Sequence, residues 1–317
     1  MHPFRFGVLL ERFPSPAHVL ETARRAEAAG YASLLIRDHY IADPFGQQYA
    51  PLATLAAVSQ VTRTLRLGGL VFNIDYRHPT ELAKQIATID QLSGGRVEVA
   101  LGAGFSRDEY AATGRPYDPN PLRVERFEEA LGVLGALLSG GPVNHAGSHY
   151  RLQDFVNFPA CVQRPHPPVI VGAGGRRMLS IAARHADGVH LLPEPIAAGA
   201  FTDPSAGRRA ANLQRQINWL REAAPERFPQ LELSLILTEV VATSDARASA
   251  EEIRQRRGWT DVTVEDVLAM PSVLIGSVEE MAQRLHATRA EYGVSYFVAG
   301  DRLLANLAPV LERAAGA

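Results

Sequence analysis

Eight short apolar runs recur along the chain, and nearly all are followed by a stretch with helical hydrophobic spacing. That alternation restricts it to parallel β/α architectures. The apolar runs are Phe4–Leu10, Ser33–Arg37, Arg66–Phe72, Val97–Leu101, Val169–Val171, Gly188–Leu192, Leu231–Val241 and Tyr296–Ala299. Helical spacing is carried by Ser15–Ala29, Pro51–Thr62, Pro79–Leu92 and Arg123–Leu138, by a stretch beginning near Met178, and by Leu303–Ala314. Gly30 stops the first of these and Ser93-Gly94-Gly95 the third, as glycine commonly does after a helix. No domain-scale linker, internal repeat or low-complexity tract breaks the pattern. The expected fold is therefore a single (β/α)8 TIM barrel over residues 1–317 rather than an open sheet. Two stretches, 103–168 and 195–230, exceed usual βα loop lengths and are expected as insertions at the rim.

Composition narrows the function classes. The chain is 46% hydrophobic and 21% charged with a formal net charge of -2, which offers nothing to nucleic acid or to a polybasic membrane contact. No window approaches the roughly 20 apolar residues of a membrane span, and Met1-His2-Pro3-Phe4-Arg5 lacks a secretory apolar region. Cys161 is the only cysteine, which excludes an intrachain disulfide and a cysteine-based zinc site. A cytoplasmic protein is expected. Lys84 is the only lysine among 32 basic residues; this matches coding from a GC-rich genome and has no bearing on the fold.

In a barrel of this kind the chemistry lies at the C-terminal ends of the strands. The first strand ends at Leu10-Glu11, the second at Arg37-Asp38-His39-Tyr40 and the third at Leu70-Val71-Phe72-Asn73. The fourth ends at Gly102-Ala103-Gly104-Phe105, the fifth at Gly172-Ala173-Gly174-Gly175-Arg176-Arg177 and the sixth at Leu192-Pro193-Glu194. The fifth end is a glycine turn running into a helix start, an arrangement that presents backbone N–H groups to an anion. Arg177 stands where a dinucleotide fingerprint needs its third glycine, so a Rossmann reading fails. Asp38-His39 combines a group that titrates near neutrality with an adjacent carboxylate. Equally, Asp38 could cap the next segment beside a partly exposed His39. Glu11 is either a second acid or base, or a carboxylate satisfied by an arginine. His78 precedes Pro79 at a helix start and is expected to be structural. His145 and His149 flank Ala146-Gly147-Ser148 in a loop with no third ligand, so no metal site is expected.

Taken in order, several segments resemble one family. They are Arg77-His78-Pro79, Leu82-Ala83-Lys84, Asp90 to Arg96, Gly102-Ala103-Gly104, Val162-Gln163-Arg164-Pro165, Gly172 to Gly175, Ala186-Asp187-Gly188 and Leu274-Ile275-Gly276-Ser277. The chain is similar over its whole length to the bacterial luciferase-like superfamily of flavin- and deazaflavin-dependent oxidoreductases, which are (β/α)8 barrels. FMN-using branches often carry Glu-His-His after the second strand and deazaflavin branches Asp-His, so Asp38-His39 resembles the latter. The resemblance implies coenzyme F420 as cofactor, with FMN as the alternative. It implies that Gly172, Ala173, Gly174, Gly175 and Arg176 receive the cofactor phosphate. Leu70 and Val71, joined by a non-prolyl cis peptide, would form a bulge under the central ring, with Asp38, Asn73 and Gly104 also at the cofactor. His39 would lie near the reactive ring carbon as acid, base or substrate anchor, with Glu11 close by.

One departure bears on the substrate. Sugar-phosphate dehydrogenases of the branch carry a proton-donating glutamate directly after the fourth-strand Gly-x-Gly, where this chain has Phe105; its nearest acids are Asp108 and Glu109. A phenylalanine donates no proton, which argues against glucose-6-phosphate. Tyr40, Phe72 and Phe105 are expected to line an apolar substrate pocket. The implied activity is hydride transfer between F420 and a small apolar organic molecule. An FMN-dependent monooxygenase and a non-catalytic cofactor-binding barrel stand as rivals. Relatives are commonly dimers, so a homodimer is expected.

Overall fold

The computed structural model describes residues 2–193 and 204–315; Glu194 and the stretch 195–203, where the second expected insertion begins, lie outside the described residues. Strand β1 (Arg5–Leu10) is buried almost throughout. It leads to helix α1 (Pro16–Ala28), where Ser15 accepts from the His18 N–H and Pro16 occupies a first-turn position that needs no amide donor. The same unit repeats as β2 (Ser33–Ile36) and α2 (Pro51–Val61), then β3 (Arg66–Gly69) with β4 (Phe72–Asn73), then α3 (Pro79–Ser93) and β5 (Val97–Gly102). His78 caps α3 by accepting from the Thr80 N–H, the structural role expected of it.

After β5 come α4 (Arg107–Ala112), α5 (Asn120–Ser139), β6 (Pro142–Ala146) and β7 (Arg151–Val156). The chain continues through β8 (Val169–Ala173), α6 (Arg176–His185), β9 (Gly188–Leu191), α7 (Ala210–Ala223) and β10 (Glu232–Leu237). The last part contains β11 (Glu239–Ala242), α8 (Ala246–Arg256), α9 (Val264–Ala269), β12 (Val273–Gly276), α10 (Val278–Tyr292), β13 (Val294–Gly300) and α11 (Leu304–Ala315). All barrel pairings are parallel. They run β3-β2-β1-β13-β10-β9-β8-β5-β4, and the additional β3–β5 pairing closes the ring. Because β3 and β4 are two parts of one barrel position, eight positions result, as the eight apolar runs anticipated.

The structure differs from the sequence reading in particulars. The third run is split at the Leu70–Val71 bond. The seventh run is split at Thr238, beyond which β11 leaves the barrel and pairs with β12 over a small core built around Trp259, Met270 and Val273. The Gly/His-rich stretch before Tyr150 is an antiparallel β6–β7 hairpin. Helices α5 and α7 take places in the outer ring, α5 between α3 and α6 and α7 beside α6. The expected insertions therefore contain ring helices.

Strand alternation sorts each side chain to the helices or to the barrel interior. On β1, Phe6, Val8 and Leu10 join the main core under the helices, whereas Arg5, Gly7 and Leu9 point inward. At the N-terminal end of the interior, buried Glu98 receives Arg5 Nη2 at 2.6 Å and the Tyr296 hydroxyl at 2.7 Å, with Arg66 Nε at 3.5 Å. Tyr296 also bonds Ser33, and His190 Nδ1 lies 2.7 Å from Ser234 Oγ. Above this polar layer Leu9, Leu35, Leu70, Val298 and the Tyr296 ring pack with Val71 and Ile236. That apolar plug separates the polar layer from the upper mouth.

Candidate active site

At the C-terminal mouth a cleft of about 900 Å³ opens over the apolar plug, reaching Leu9, Leu70, Val71 and Ile236. The Leu70–Val71 peptide is cis, at the bond the resemblance indicated. Two glycines make room for Val71: a Cβ added at Gly102 would stand 2.5 Å from one Val71 methyl, and one at Gly172 2.6 Å from the other. Leu70, Val71 and Asn73 line the cleft. Phe72 does not, contrary to the sequence reading. It is fully buried in the core under the helices, because alternation on β4 turns it away from Asn73.

Tyr40 needs the same correction. It is 53% exposed and outside the cleft lining; its ring lies edge-on to Tyr76 at 4.9 Å, with the Arg115 guanidinium over it. His39 and Phe105 do line the cleft, their rings edge to face at 5.8 Å. Phe45 stacks on the other side of His39 at 4.8 Å and also covers the Arg37 guanidinium.

His39 is held by Glu109, which the sequence reading named only as an acid near Phe105. Its Nδ1 lies 3.0 Å from Glu109 Oε2, and that carboxylate also accepts from the Tyr76 hydroxyl at 2.5 Å and from the Tyr40 backbone N–H. Burial alone would raise the Glu109 pKa. The bonds from His39, Tyr76 and Tyr40 outweigh it and hold the carboxyl below its ordinary range. Tyr76 moves the other way, raised by burial and then by the Glu109 charge, so its phenol stays protonated. An ionised Glu109 can only accept, so Nδ1 must be the protonated ring nitrogen. Nε2 has no hydrogen-bond partner among the described residues.

Asp38 serves as a brace. Its oxygens accept from Arg77 Nη1 and Nη2, at 2.5 and 2.9 Å, and from the Asn73 N–H at 3.0 Å, tying β4 to the end of β2. Glu11 lies at the cleft wall with Arg37 at 2.7 Å and Arg302 at 3.8 Å, the arginine-satisfied alternative of the sequence reading. Gly104 has φ +70, and a Cβ there would collide with the Tyr110 hydroxyl and Asn73. Its carbonyl is held by Arg123, a buried arginine that also binds the Ala103 carbonyl at 3.2 Å.

Across the mouth, Gly172, Ala173, Gly174, Gly175 and Arg176 all border the cleft. Gly174 passes so close to the Leu192 carbonyl that a Cβ would sit 2.5 Å from it. Gly175 caps α6 without any side-chain hydrogen bond, with open space beside it and no acid in the first turn. Those amides and the helix dipole favour an anion. Arg176 pairs with Glu222 at 3.2 Å on the exposed side. Arginines outnumber carboxylates along the described cleft wall, nine against three, which gives the site a positive character. His145 and His149 bond Glu129 and Glu125 at the hairpin. No cluster of three or more candidate metal ligands occurs among the described residues.

Comparison with known proteins agrees with this architecture. The profile of luciferase-like monooxygenases matches residues 1–296. An F420-dependent glucose-6-phosphate dehydrogenase of Beutenbergia cavernae is 27% identical, over 94% of this chain and 91% of that protein. An FMNH2-dependent dimethylsulfone monooxygenase of Pseudomonas putida is also 27% identical, over 70% of this chain, and the match spans 65% of its length. The match to a further F420-dependent glucose-6-phosphate dehydrogenase, from Amycolatopsis mediterranei, spans about half of that protein's length, 52%, at 32% identity. Among solved structures, an F420-dependent secondary alcohol dehydrogenase carrying an F420-acetone adduct superposes with a TM-score of 0.75 at 18% identity, covering 99% of both chains. That likeness concerns the fold.

Proposed function

The chain belongs to the luciferase-like monooxygenase family, and on that premise we propose that it is a coenzyme F420-dependent oxidoreductase acting on a small apolar organic substrate. The observation that carries this reading is His39, set on the cleft wall with Nδ1 tied to Glu109 and Nε2 without a partner among the described residues. The residues present fit the cofactor. The open start of α6 at Gly175 and Arg176 suits a phosphate, and Leu70 with Val71 offers an apolar platform for a flat ring. The Asp38-His39 pair and the relatives named as F420-dependent favour the deazaflavin over FMN.

Bound there, the deazaflavin would supply the hydride chemistry. The chain supplies the rest. His39 Nε2 takes up or returns the substrate proton, and the Phe45 and Phe105 rings limit water around the imidazole. Phe105 and the plug residues Leu9, Leu70 and Ile236 make the substrate's surroundings apolar. Glu109 reaches the cleft wall, but it is almost fully buried, ionised and occupied by His39, Tyr76 and the Tyr40 amide, so it does not restore the proton donor that sugar-phosphate dehydrogenases carry at the Phe105 position.

Calorimetric titration of the purified protein with F420 and, separately, with FMN tests the reading. Tight F420 binding with weak FMN binding, followed by hydride transfer in a panel of apolar alcohols, imines and activated alkenes, supports it. The opposite preference, with oxygen uptake, would make the chain an FMN-dependent monooxygenase. Cofactor binding without turnover of any panel member would leave a non-catalytic barrel.

A further inference from the structure

Two side chains, Glu109 and Tyr76, and the Tyr40 backbone amide meet behind His39, and both side chains reach the cleft wall beside the imidazole. We propose that Glu109 is a positioning residue for His39, holding the imidazole as its Nδ1–H tautomer so that Nε2 alone exchanges a proton with substrate, and that Tyr76 keeps Glu109 in place for this. The proposal rests on the reading above in giving His39 the proton-moving role.

The geometry is specific. Both His39 Nδ1 and the Tyr76 hydroxyl bond the same oxygen, Glu109 Oε2, at 3.0 and 2.5 Å, while Oε1 takes the Tyr40 N–H. The Tyr40 amide is the next backbone group after His39, so one carboxylate holds both the ring and the chain that carries it. Ser106 caps α4 by accepting from the Glu109 N–H at 3.3 Å. A glutamate at this third position of a helix commonly turns back to the N-cap amide. Here the side chain reaches the imidazole instead, a use that helix capping does not explain.

The network also closes off other routes for the proton. When Nε2 takes a proton from substrate, the ring becomes an imidazolium facing the Glu109 carboxylate, which keeps its charge; the reverse step returns the same proton to the cleft. Tyr76 remains a phenol and already donates its hydrogen to Glu109, so it neither receives that proton nor passes it on. Arg115 covers the Tyr40 and Tyr76 rings at 5.1 and 5.3 Å and adds no acceptor. A carboxylate that fixes an imidazole tautomer in this way is worth about 10- to 10²-fold in turnover.

The test is 15N NMR of histidine-labelled protein, with the His39 resonances assigned from the His39→Gln variant among the 10 histidines. In the wild type, the neutral His39 ring is expected with Nδ1 protonated and Nε2 bare. Glu109→Gln should yield a mixed or Nε2–H tautomer. Where turnover is measurable it should lower kcat about 10- to 10²-fold, with KM and F420 affinity changed by less than about threefold. Glu109→Asp should recover part of the kcat, and Tyr76→Phe should lie between wild type and Glu109→Gln; these two carry the test if Glu109→Gln does not fold. An unchanged His39 tautomer in Glu109→Gln, or in both milder variants, would overturn the proposal. Loss of the tautomer in a protein that neither binds nor turns over F420 would sink the functional reading and leave the positioning role standing.

Discussion

Glu98 and Glu109 are both buried carboxylates that accept a tyrosine hydroxyl, at 2.7 and 2.5 Å, and both are held below the usual carboxylate range against the opposing effect of burial. Each also has a histidine in its neighbourhood, His190 below and His39 above. Their counter-charges differ. Glu98 is compensated by Arg5 and Arg66, which never lose their protons, and the plug of Leu9, Leu35 and Val298 seals it from the cleft. Glu109 has no arginine partner among the described residues; it leans on an imidazole that borders the cleft. The same residue types therefore build a permanent strut at one end of the barrel and, on the proposed reading, a proton-handling site at the other. What separates them is access, and whether the partner can change its protonation state.

The comparison can be broken most severely at the strut. Glu98→Ala removes the buried carboxylate from Arg5, which keeps only Glu232 at 2.5 Å, and should cost about 3 kcal/mol of stability in urea unfolding, the lower end of what breaking a buried pair costs; a loss comparable to that of a surface substitution would show that Glu98 is no strut. His190 offers a pH test of the same layer. Complete burial pushes its pKa down to about 4 from an ordinary 6.5. Between those values the unfolded chain binds the proton and the folded chain does not. The stability tied to His190 is therefore complete above pH 6.5 and is lost as pH falls toward 4, by up to about 3 kcal/mol. His190→Leu should flatten the stability profile across that window, and an unaltered slope would remove His190 from the account.

At the upper site the effects should fall on turnover. His39→Ala is expected to lower kcat about 10²-fold while leaving the unfolding midpoint much closer to wild type than Glu98→Ala does. Unchanged turnover would end its assignment as the proton carrier. Gly102→Ala places a methyl 2.5 Å from Val71 Cγ2, a β-branched side chain with little freedom to yield. About a tenfold weaker F420 affinity should follow, read in the same titration. The smallest effect belongs to Tyr40→Ala. Its ring lies outside the cleft and only its amide serves Glu109, so cofactor affinity should stay within about twofold.

Much of this was legible along the chain. Short apolar runs alternating with helical spacing identified the eight barrel positions, and glycines after strands marked where neighbouring side chains or backbone approach closely. Local grammar also misled. Ser106-Arg107-Asp108-Glu109 has the spacing of a helix start, and the sequence reading named Glu109 only as one of the acids nearest Phe105. Leu231–Val241 reads as one strand because a two-residue polar interruption, Thr238-Glu239, does not by itself end an apolar run. Phe72 and Tyr40 were assigned to the pocket by nearness in sequence to residues that do line it.

By itself the sequence determined the fold class, the strand-end positions that face one mouth, and the family, because hydrophobic periodicity and glycine placement are local properties of a chain. Only the tertiary structure decided which strand-end side chains enter the cleft. A one-residue step along a strand reverses the face presented, as Phe72 and Asn73 show. It alone brought Glu109 to His39, across an interval of 70 residues, at 3.0 Å. That contact depends on how α4 packs over the barrel mouth, and side chains so distant in sequence leave no periodic trace of their meeting.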